Sequence, residues 1–295
     1  MSTAPELPDD PHFAYEIGGF RISLDTFPFH ESEYLAAFRK ECRQDPDLHM
    51  VIREVSRITL PEGIEAGDVG ETMYRNEAGK KVRVCKTEQK DAILYRITEL
   101  EQGRLLAEIT PKAAAQLGSY LVLRWLDLPW FCLKRDAVFL HASFLRWKDK
   151  AILFTGRKQI GKSTQAELWR RFRGAEIVNG DRALLRRIDG VWTACGSPFC
   201  GTSGICGNAM VKLAAIVLLR QSPYNRVEPV DLKMAYVAFL SGCTFDSQNL
   251  RAAERVLTLA EQIHREVPMY RLSCTPDEEA VACLEKVLEG EGTHV

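Results

Sequence analysis

The sequence predicts a mixed α/β (α+β) protein in which a smaller β-rich N-terminal domain precedes a nucleotide-binding domain. Three observations lead to this prediction. Residues from about 12 to 110 favour strands, since apolar and polar residues alternate there. The apolar segment Ala151–Thr155 leads into a glycine-containing loop, and a helical pattern follows the loop. The second half of the chain then mixes strand-like and helical segments.

Length and composition fit a soluble globular protein. The 295 residues suit one large or two modest domains, and 46% of them are hydrophobic and 27% charged. We expect a loose tail over residues 1–11, a β-rich domain over 12–125 and a nucleotide-binding domain over 126–295.

Charge and hydropathy argue against two classes of partner. The net charge is −1 and the basic residues are scattered, so we expect no nucleic-acid partner. The longest apolar stretch, Leu117–Leu133, is short and carries Arg124, Asp127 and Pro129, so we expect no membrane span. The polar, acidic N-terminus does not resemble a signal peptide. With nine cysteines and no such signal, we expect free thiols and a cytoplasmic protein.

In the N-terminal region, the pattern predicts a meander of strands and one helix. A turn signal at Asn76–Gly79 separates two of the strands. The predicted strands are Phe20–Leu24, Glu71–Tyr74, Lys81–Cys85, Ala92–Ile97 and Arg104–Ile109, and the predicted helix is Glu31–Arg43.

The rest of the chain alternates helices and strands. Pro111 and an alanine-rich run predict a helix over Pro111–Leu126. Asp189-Gly190 predicts a hairpin, and Thr275–Glu278 predicts a capping box for the last helix. The other predicted strands are Ala137–Leu145, Ala151–Thr155, Glu176–Val178, Leu213–Leu219 and Met269–Leu272, and the other helices are Ser163–Arg173, stopped by Gly174, and about 230–241 and 250–265.

The loop after Thr155 fits the Walker A pattern, Gly-x4-Gly-Lys-Ser/Thr, of a P-loop. Its glycines allow backbone angles that direct several N–H groups at phosphate oxygens. Lys162 would reach the β- and γ-phosphates, and the Ser163 hydroxyl would bind Mg²⁺ at the start of a helix. Arg157 and Lys158 either add positive charge over the phosphates or face solvent. The predicted nucleotide-binding residues are Gly156, Arg157, Lys158, Gln159, Ile160, Gly161, Lys162, Ser163 and Thr164.

Two further residues are candidates on either side of the loop. Asp181 lies 19 residues after Lys162, at the end of the next strand. It could hold Mg²⁺ or form an ordinary turn pair with Arg182. His141 lies 15 residues before Gly156 in an apolar strand, where a histidine is either a satisfied core residue or a functional one.

In this order, the three segments resemble the C-terminal kinase domain of HPr kinase/phosphorylase. They resemble, more distantly, the nucleotide site of phosphoenolpyruvate carboxykinase. The resemblance covers roughly residues 137–220 and rests on Leu140–Ser143, the glycine loop and Val178–Arg182. The segment Gly196–Ser203 also resembles a loop of HPr-kinase-like proteins encoded near biosynthetic clusters.

The resemblance implies a P-loop kinase domain with a mixed sheet of the HPr kinase/carboxykinase type. It implies that Lys162 binds phosphate, that Ser163 and Asp181 bind the metal ion, and that His141 lines the active site. The first aspartate of the family pair, the proposed base, falls on Gly180. Either Asn179, Asp181 or another group then fills that role, or catalysis is weak or absent. Since HPr kinases form hexamers, a homo-oligomer is also implied.

Two functions therefore remain open. The first is an ATP- and Mg²⁺-dependent kinase that uses His141, Lys162 and Asp181 and transfers a phosphoryl group to a hydroxyl of a protein, peptide or small molecule. The alternative is a nucleotide-binding regulatory or scaffold protein without transfer activity, which Gly180 favours. The sequence does not decide between ATP and GTP, and the chain is short for a carboxykinase. The glycine-rich segment Gly196–Asn208 either closes over nucleotide or substrate or is a plain surface loop.

Overall fold

The computed structural model describes residues 12–290, apart from 42–44, 61–70, 77–79, 87–92, 102 and 248. The chain divides into two compact units, Met1–Phe131 and Cys132–Val295. Both contain strands and helices, so the predicted mixed α/β class is confirmed.

Among the described residues, the first unit contains one sheet of seven strands. Its order is β1-β2-β3-β7-β6-β5-β4, with β3 parallel to both of its neighbours and the other pairs antiparallel. The strands are β1 (His12–Ile17), β2 (Phe20–Asp25), β3 (Leu48–Glu54), β4 (Glu71–Arg75), β5 (Lys81–Lys86), β6 (Ile93–Glu101) and β7 (Arg104–Ile109). The helices are α1 (Glu33–Ala36), α2 (Pro111–Ala114) and α3 (Ser119–Leu126), and α4 (Leu128–Leu133) contains the boundary between the two units.

Two predicted helices of this region are wrong in extent. The helix expected over Glu31–Arg43 is the single turn α1 among the described residues there. The helix expected over Pro111–Leu126 is interrupted between α2 and α3, because Gly118 is extended, with φ −150°. The backbone on both sides of Gly118 bonds to His30 instead. The amide of His30 donates to the carbonyl of Leu117, and the amide of Ser119 donates to the carbonyl of His30. Of the turn expected at Asn76–Gly79, residues 77–79 lie outside the described residues.

The second unit contains a mixed sheet of eight strands in the described part of the chain. Its main path is β10-β8-β11-β12-β13-β15-β14, and β9 pairs antiparallel with β8 and parallel with β13. The strands are β8 (Val138–Trp147), β9 (Lys150–Thr155), β10 (Glu176–Asn179), β11 (Arg182–Ile188), β12 (Val191–Cys195), β13 (Met210–Gln221), β14 (Arg226–Pro229) and β15 (Met269–Cys274). The helices are α5 (Lys162–Arg173), α6 (Leu232–Gly242), α7 (Leu250–Glu266) and α8 (Glu278–Leu288).

Most local signals of this unit are confirmed, with two differences. Asp189 and Gly190 form the β11–β12 turn with φ values of 50° and 80°, as the hairpin signal predicts. Gly174 ends α5 with φ 64°. The capping box predicted from Thr275 is wrong, since Asp277 caps α8 by accepting from Ala280 N. Strand β14, only four residues long and ending at a proline, has no clear strand pattern in the sequence and forms by antiparallel pairing with β15.

An apolar core joins β9 and α5, which flank the glycine loop. Trp169 of α5 is fully buried, and its ring lies 5.1 Å from that of Trp147 and 6.4 Å from that of Phe154. Val281 and Leu284 of α8 belong to the same cluster. This packing fixes both ends of the loop and thereby its shape.

No helix in the described ranges has the length and apolar character needed to cross a bilayer.

Candidate functional site

The glycine loop, residues 156–161, connects the end of β9 to the start of α5. Gly156, Gln159 and Gly161 have φ values of 142°, 64° and 113°. Two of these positions are glycines, which adopt such angles without a Cβ penalty. Positive φ angles of this kind occur in backbone segments whose N–H groups form anion-binding concavities.

Helix α5 begins with free backbone donors. Gly161 is its N-cap, and the amide of Gln165 is the first to bond back, to Gly161 O at 2.9 Å. No described acceptor bonds to the amides of Lys162, Ser163 or Thr164, which are the first three of the helix. Because these N–H groups and the helix dipole both favour negative charge, the start of α5 suits a phosphate group.

One side chain of the loop is buried in the core, and three others are exposed to solvent. Ile160 is buried in the core, and a methyl group added at Gly156 would lie 3.2 Å from its Cγ2. Ile160 would therefore meet a bound ligand only through its backbone. The side chains of Arg157, Lys158 and Gln159 are exposed.

Lys162 folds its ammonium group back over the loop. Its Nζ donates to the carbonyls of Gly156 at 3.1 Å and Arg157 at 3.2 Å, and the residue is only 8% exposed. Burial lowers the pKa of this ammonium group, and the negative charge of Asp181 opposes that shift. The third N–H donor of Lys162 has no partner among the described residues, so the group is prepared to receive an anion.

His141 and Asp181 lie side by side, because the antiparallel register of β8 and β11 places Arg182 opposite His141. The Nδ1 atom of His141 lies 3.0 Å from the backbone carbonyl oxygen of Asp181 and 3.2 Å from its Oδ1. Since both atoms accept hydrogen bonds, Nδ1 carries the proton. In the neutral ring the free lone pair is then on Nε2. This atom has no hydrogen-bond partner among the described residues.

The Asp181 carboxyl group is surrounded by positive charge. Hydrogen bonding to His141 is the main reason why its pKa lies below the ordinary value, and the charges of His141, Arg182 and Lys162 add to the effect. Nε of Arg182 lies 3.5 Å from Oδ2 of Asp181. The group is therefore ionised at neutral pH, as a metal ligand must be.

Asn179 holds the turn that presents Asp181. The residue is fully buried, and its Oδ1 accepts from the amides of Asp181 and Arg182, both at 2.8 Å. Its Nδ2 donates to the carbonyl of Ser197 at 2.9 Å. Because these bonds occupy the amide, Asn179 has a structural task here and is not placed to act as a base.

Gly180 has no room for a side chain. A methyl group built on it would lie 2.0 Å from Oγ and 2.5 Å from Cβ of Ser203. The amide of Gly180 also donates to the carbonyl of Ile205 at 3.1 Å. The position at which the family resemblance expects a carboxylate is thus filled by another part of the chain.

The segment that contains Ser203, residues 196–208, folds over the end of β10. At its base the amide of Gly207 donates to Val178 O at 2.7 Å, and a methyl group at Gly196 would lie 1.7 Å from Gly207 O. At its tip Gly201, with φ 56°, touches Asp181, since an added methyl would lie 2.6 Å from Cγ of Asp181. This segment, called the covering loop below, therefore packs against Asp181 and the end of β10.

An aromatic contact also holds the covering loop. The Phe199 ring lies 5.4 Å from that of Phe139 in an edge-on arrangement, and the Arg182 guanidinium lies 5.6 Å from its centre. Sequence reasoning did not identify the contacts of Phe199, Gly201 and Ser203. The density of glycines in this segment was the only signal that could have indicated such close approaches.

The described residues hold no cluster of three or more His, Cys, Asp or Glu side chains that would bind a metal ion by itself. A cation beside Asp181 would therefore need further oxygen ligands from a bound molecule.

Comparison with solved structures shows a distant likeness, whereas the two comparisons by sequence show none. No protein-family model and no curated protein matches the chain. Among solved structures, the chain is similar to the Hpr(Ser) kinase/phosphatase from Coxiella burnetii, with 15% sequence identity and a TM-score of 0.29. The match covers 52% of this chain and 93% of that one.

Proposed function

We propose that this protein binds ATP with Mg²⁺ on residues Gly156–Thr164 and transfers the γ-phosphoryl group to a hydroxyl. The buried ammonium group of Lys162 is the observation on which the proposal rests. It lies on the carbonyls of the glycine loop, beside the unbonded amides that begin α5. Such a combination of one charge and several backbone donors fits a polyphosphate better than a single carboxylate.

Ser163 and Asp181 have the right atoms to hold Mg²⁺. Mg²⁺ prefers hard oxygen ligands and keeps several waters, so it usually binds through one or two protein groups together with substrate phosphates. The exposed hydroxyl of Ser163 and the ionised carboxylate of Asp181 are such groups. When bound, the metal ion would neutralise charge on the phosphates.

Gly180 has no side chain that could act as the catalytic base. We propose that His141 is the base instead. Nε2 would take the proton of the acceptor hydroxyl while the hydroxyl oxygen bonds to the γ-phosphorus. The bond from phosphorus to the bridging oxygen would break, and ADP would leave with that electron pair. Asp181 accepts from Nδ1 and would stabilise the imidazolium ring as it forms.

Binding and transfer can be tested separately. Isothermal titration of the full chain with ATP and GTP, each with and without Mg²⁺, measures binding and base preference. Phosphorus NMR of ATP with serine peptides and small alcohols then measures transfer. Absence of nucleotide binding in the folded wild-type chain would overturn the whole proposal. Tight binding without any transfer would overturn only the catalytic part.

A second candidate function is nucleotide binding without phosphoryl transfer. The observation that favours it is the steric block at Gly180, where Ser203 fills the space that a carboxylate would need. The double substitution Gly180→Asp with Ser203→Gly makes room for the carboxylate, whereas Gly180→Asp alone does not. Transfer by the double variant but not by the wild type would support this candidate, and robust transfer by the wild type would exclude it.

A further inference from the structure

A cavity of about 610 Å³ lies at the end of β9 opposite the glycine loop. Strand β9 runs from Lys150, which lines the cavity, to Thr155, which precedes the loop. The cavity lies between the starts of β9, β13 and β15 and the last turn of α8. Its apolar lining includes Trp147, Ile152, Leu213, Pro268, Tyr270 and Leu288.

Most of the charged groups around the cavity are already paired. Lys148 forms an ion pair with Glu289, and its ammonium lies 4.4 Å from the centre of the Trp147 ring. Glu266 forms an ion pair with Arg187. These contacts neutralise both carboxylates of the lining.

Two lysines of the lining remain without a counter-charge. Lys150 and Lys212 are exposed, and neither has an ion-pair partner among the described residues. They directly precede Ala151 and Leu213, which are paired in the parallel register of β9 and β13. Neighbouring strands lie only about 4.8 Å apart, and like charges placed side by side repel each other. An anion between the two ammonium groups would relieve this repulsion.

We propose that this cavity binds a small organic anion, a molecule with one carboxylate or phosphate group on an apolar body. The anionic group would lie between Lys150 and Lys212, and the apolar body would contact Tyr270 and Leu288, which are partly exposed. A volume of about 610 Å³ lies within the range of small-molecule sites, about 300–1,000 Å³. The site is at the other end of the strand from the glycine loop, so it does not depend on the proposed kinase function.

A fluorescent aromatic sulfonate, 8-anilinonaphthalene-1-sulfonate, serves as the probe in titrations of the full-length protein. Octanoate and octyl phosphate are the two competitors, and they show which anionic group binds better. Octanol has the same apolar body without the charge. We expect one site from which either anion displaces the probe at a concentration about tenfold lower than octanol requires.

The variant Lys150→Met with Lys212→Met removes both charges and keeps most of the apolar volume. We expect it to weaken octanoate and probe binding about tenfold, and the charge-preserving Lys150→Arg with Lys212→Arg to retain binding. Lys112→Met with Lys233→Met changes two exposed lysines elsewhere and is the matched control. Circular dichroism melting checks that each variant is folded.

Equal affinity in the methionine variant and its control would overturn the proposal. So would equal competition by octanol and the two anions on the wild-type protein. The second result decides the matter even if the methionine variant does not fold.

Discussion

Nδ1 of His141 lies between two oxygens of one residue, 3.0 Å from the carbonyl oxygen and 3.2 Å from Oδ1 of Asp181. A single N–H group therefore connects strand β8 to both the backbone and the side chain of the turn before β11. The contact fixes the tautomer of the ring, and it lowers the pKa of the carboxyl group.

Replacing Asp181 by Asn should lower the free energy of unfolding in a pH-dependent way. The pKa of Asp181 is depressed in the folded state from its ordinary value of 3.8, so its ionised form stabilises the fold above that pH. We expect Asp181→Asn to cost about 1 kcal/mol at pH 7, and the cost to shrink as the pH falls below about 4. Urea unfolding at pH 7, 5 and 3 measures this difference. Asp189→Asn, in the hairpin turn, is the control, and a cost for Asp181→Asn that is independent of pH would contradict the prediction.

Replacing Lys162 by Ala should remove nucleotide binding without unfolding the protein. We expect the affinity for ATP to fall about 100-fold, since a charge-assisted contact to phosphate is worth about 2–3 kcal/mol. Lys158→Ala removes an exposed lysine from the same loop and should change the affinity about threefold or less. Titration calorimetry gives both affinities. Similar losses in the two variants would show that Lys162 has no special role.

Replacing His141 by Asn should separate binding from chemistry. The side-chain amide of Asn can donate to Asp181 from about the position of Nδ1, but it offers no base at the position of Nε2. We expect ATP affinity to stay within about threefold and the rate of phosphoryl transfer to fall by about 10²–10⁴-fold. Single-turnover transfer and ATP titration on the same preparation measure the two effects. Transfer that persists at the wild-type rate would exclude His141 as the base.

Replacing Gly201 by Ala should displace the covering loop from Asp181. The added methyl would lie 2.6 Å from Cγ of Asp181, in addition to the strain at φ 56°. Gly190→Ala is a matched control, because Gly190 has φ 80° and no atom within 4 Å of the added methyl. We expect the control to cost about 1 kcal/mol and Gly201→Ala to cost about 1–3 kcal/mol more.

Limited proteolysis then reports on the covering loop itself. Cleavage within residues 196–208 should become faster in Gly201→Ala than in both the wild type and Gly190→Ala. Equal cleavage rates in the two variants would mean that the contact with Asp181 does not hold the loop in place.

The sequence predicts those parts of the structure that neighbouring residues determine. The Asp189-Gly190 turn, the Gly174 helix stop and the strand–loop–helix order around residues 156–161 all depend on signals within a few positions. The torsion preferences of glycine and the periodic spacing of apolar residues are sufficient to predict these elements from the sequence.

Contacts between distant segments decided what the sequence could not predict. The helix expected through Gly118 breaks because His30, 88 residues earlier, bonds to the backbone around it. Thr275 does not cap α8 because its amide donates to Asn225 and its hydroxyl bonds to Asn225 and Asp277. The pairing of His141 with Asp181 depends on the register of β8 and β11, which no local pattern encodes.

The contact between Gly180 and Ser203 makes the order of substitutions at these two positions matter. Ser203→Gly removes the CH2OH group of an exposed residue together with two local hydrogen bonds, to Cys200 and Ile205, so the chain should tolerate it as a first step. Gly180→Asp as a first step would push a carboxylate into the Ser203 side chain. The double substitution should therefore destabilise the fold less than the sum of the two single effects, and the route to a carboxylate at position 180 that begins with Ser203→Gly should pass through the more stable intermediate.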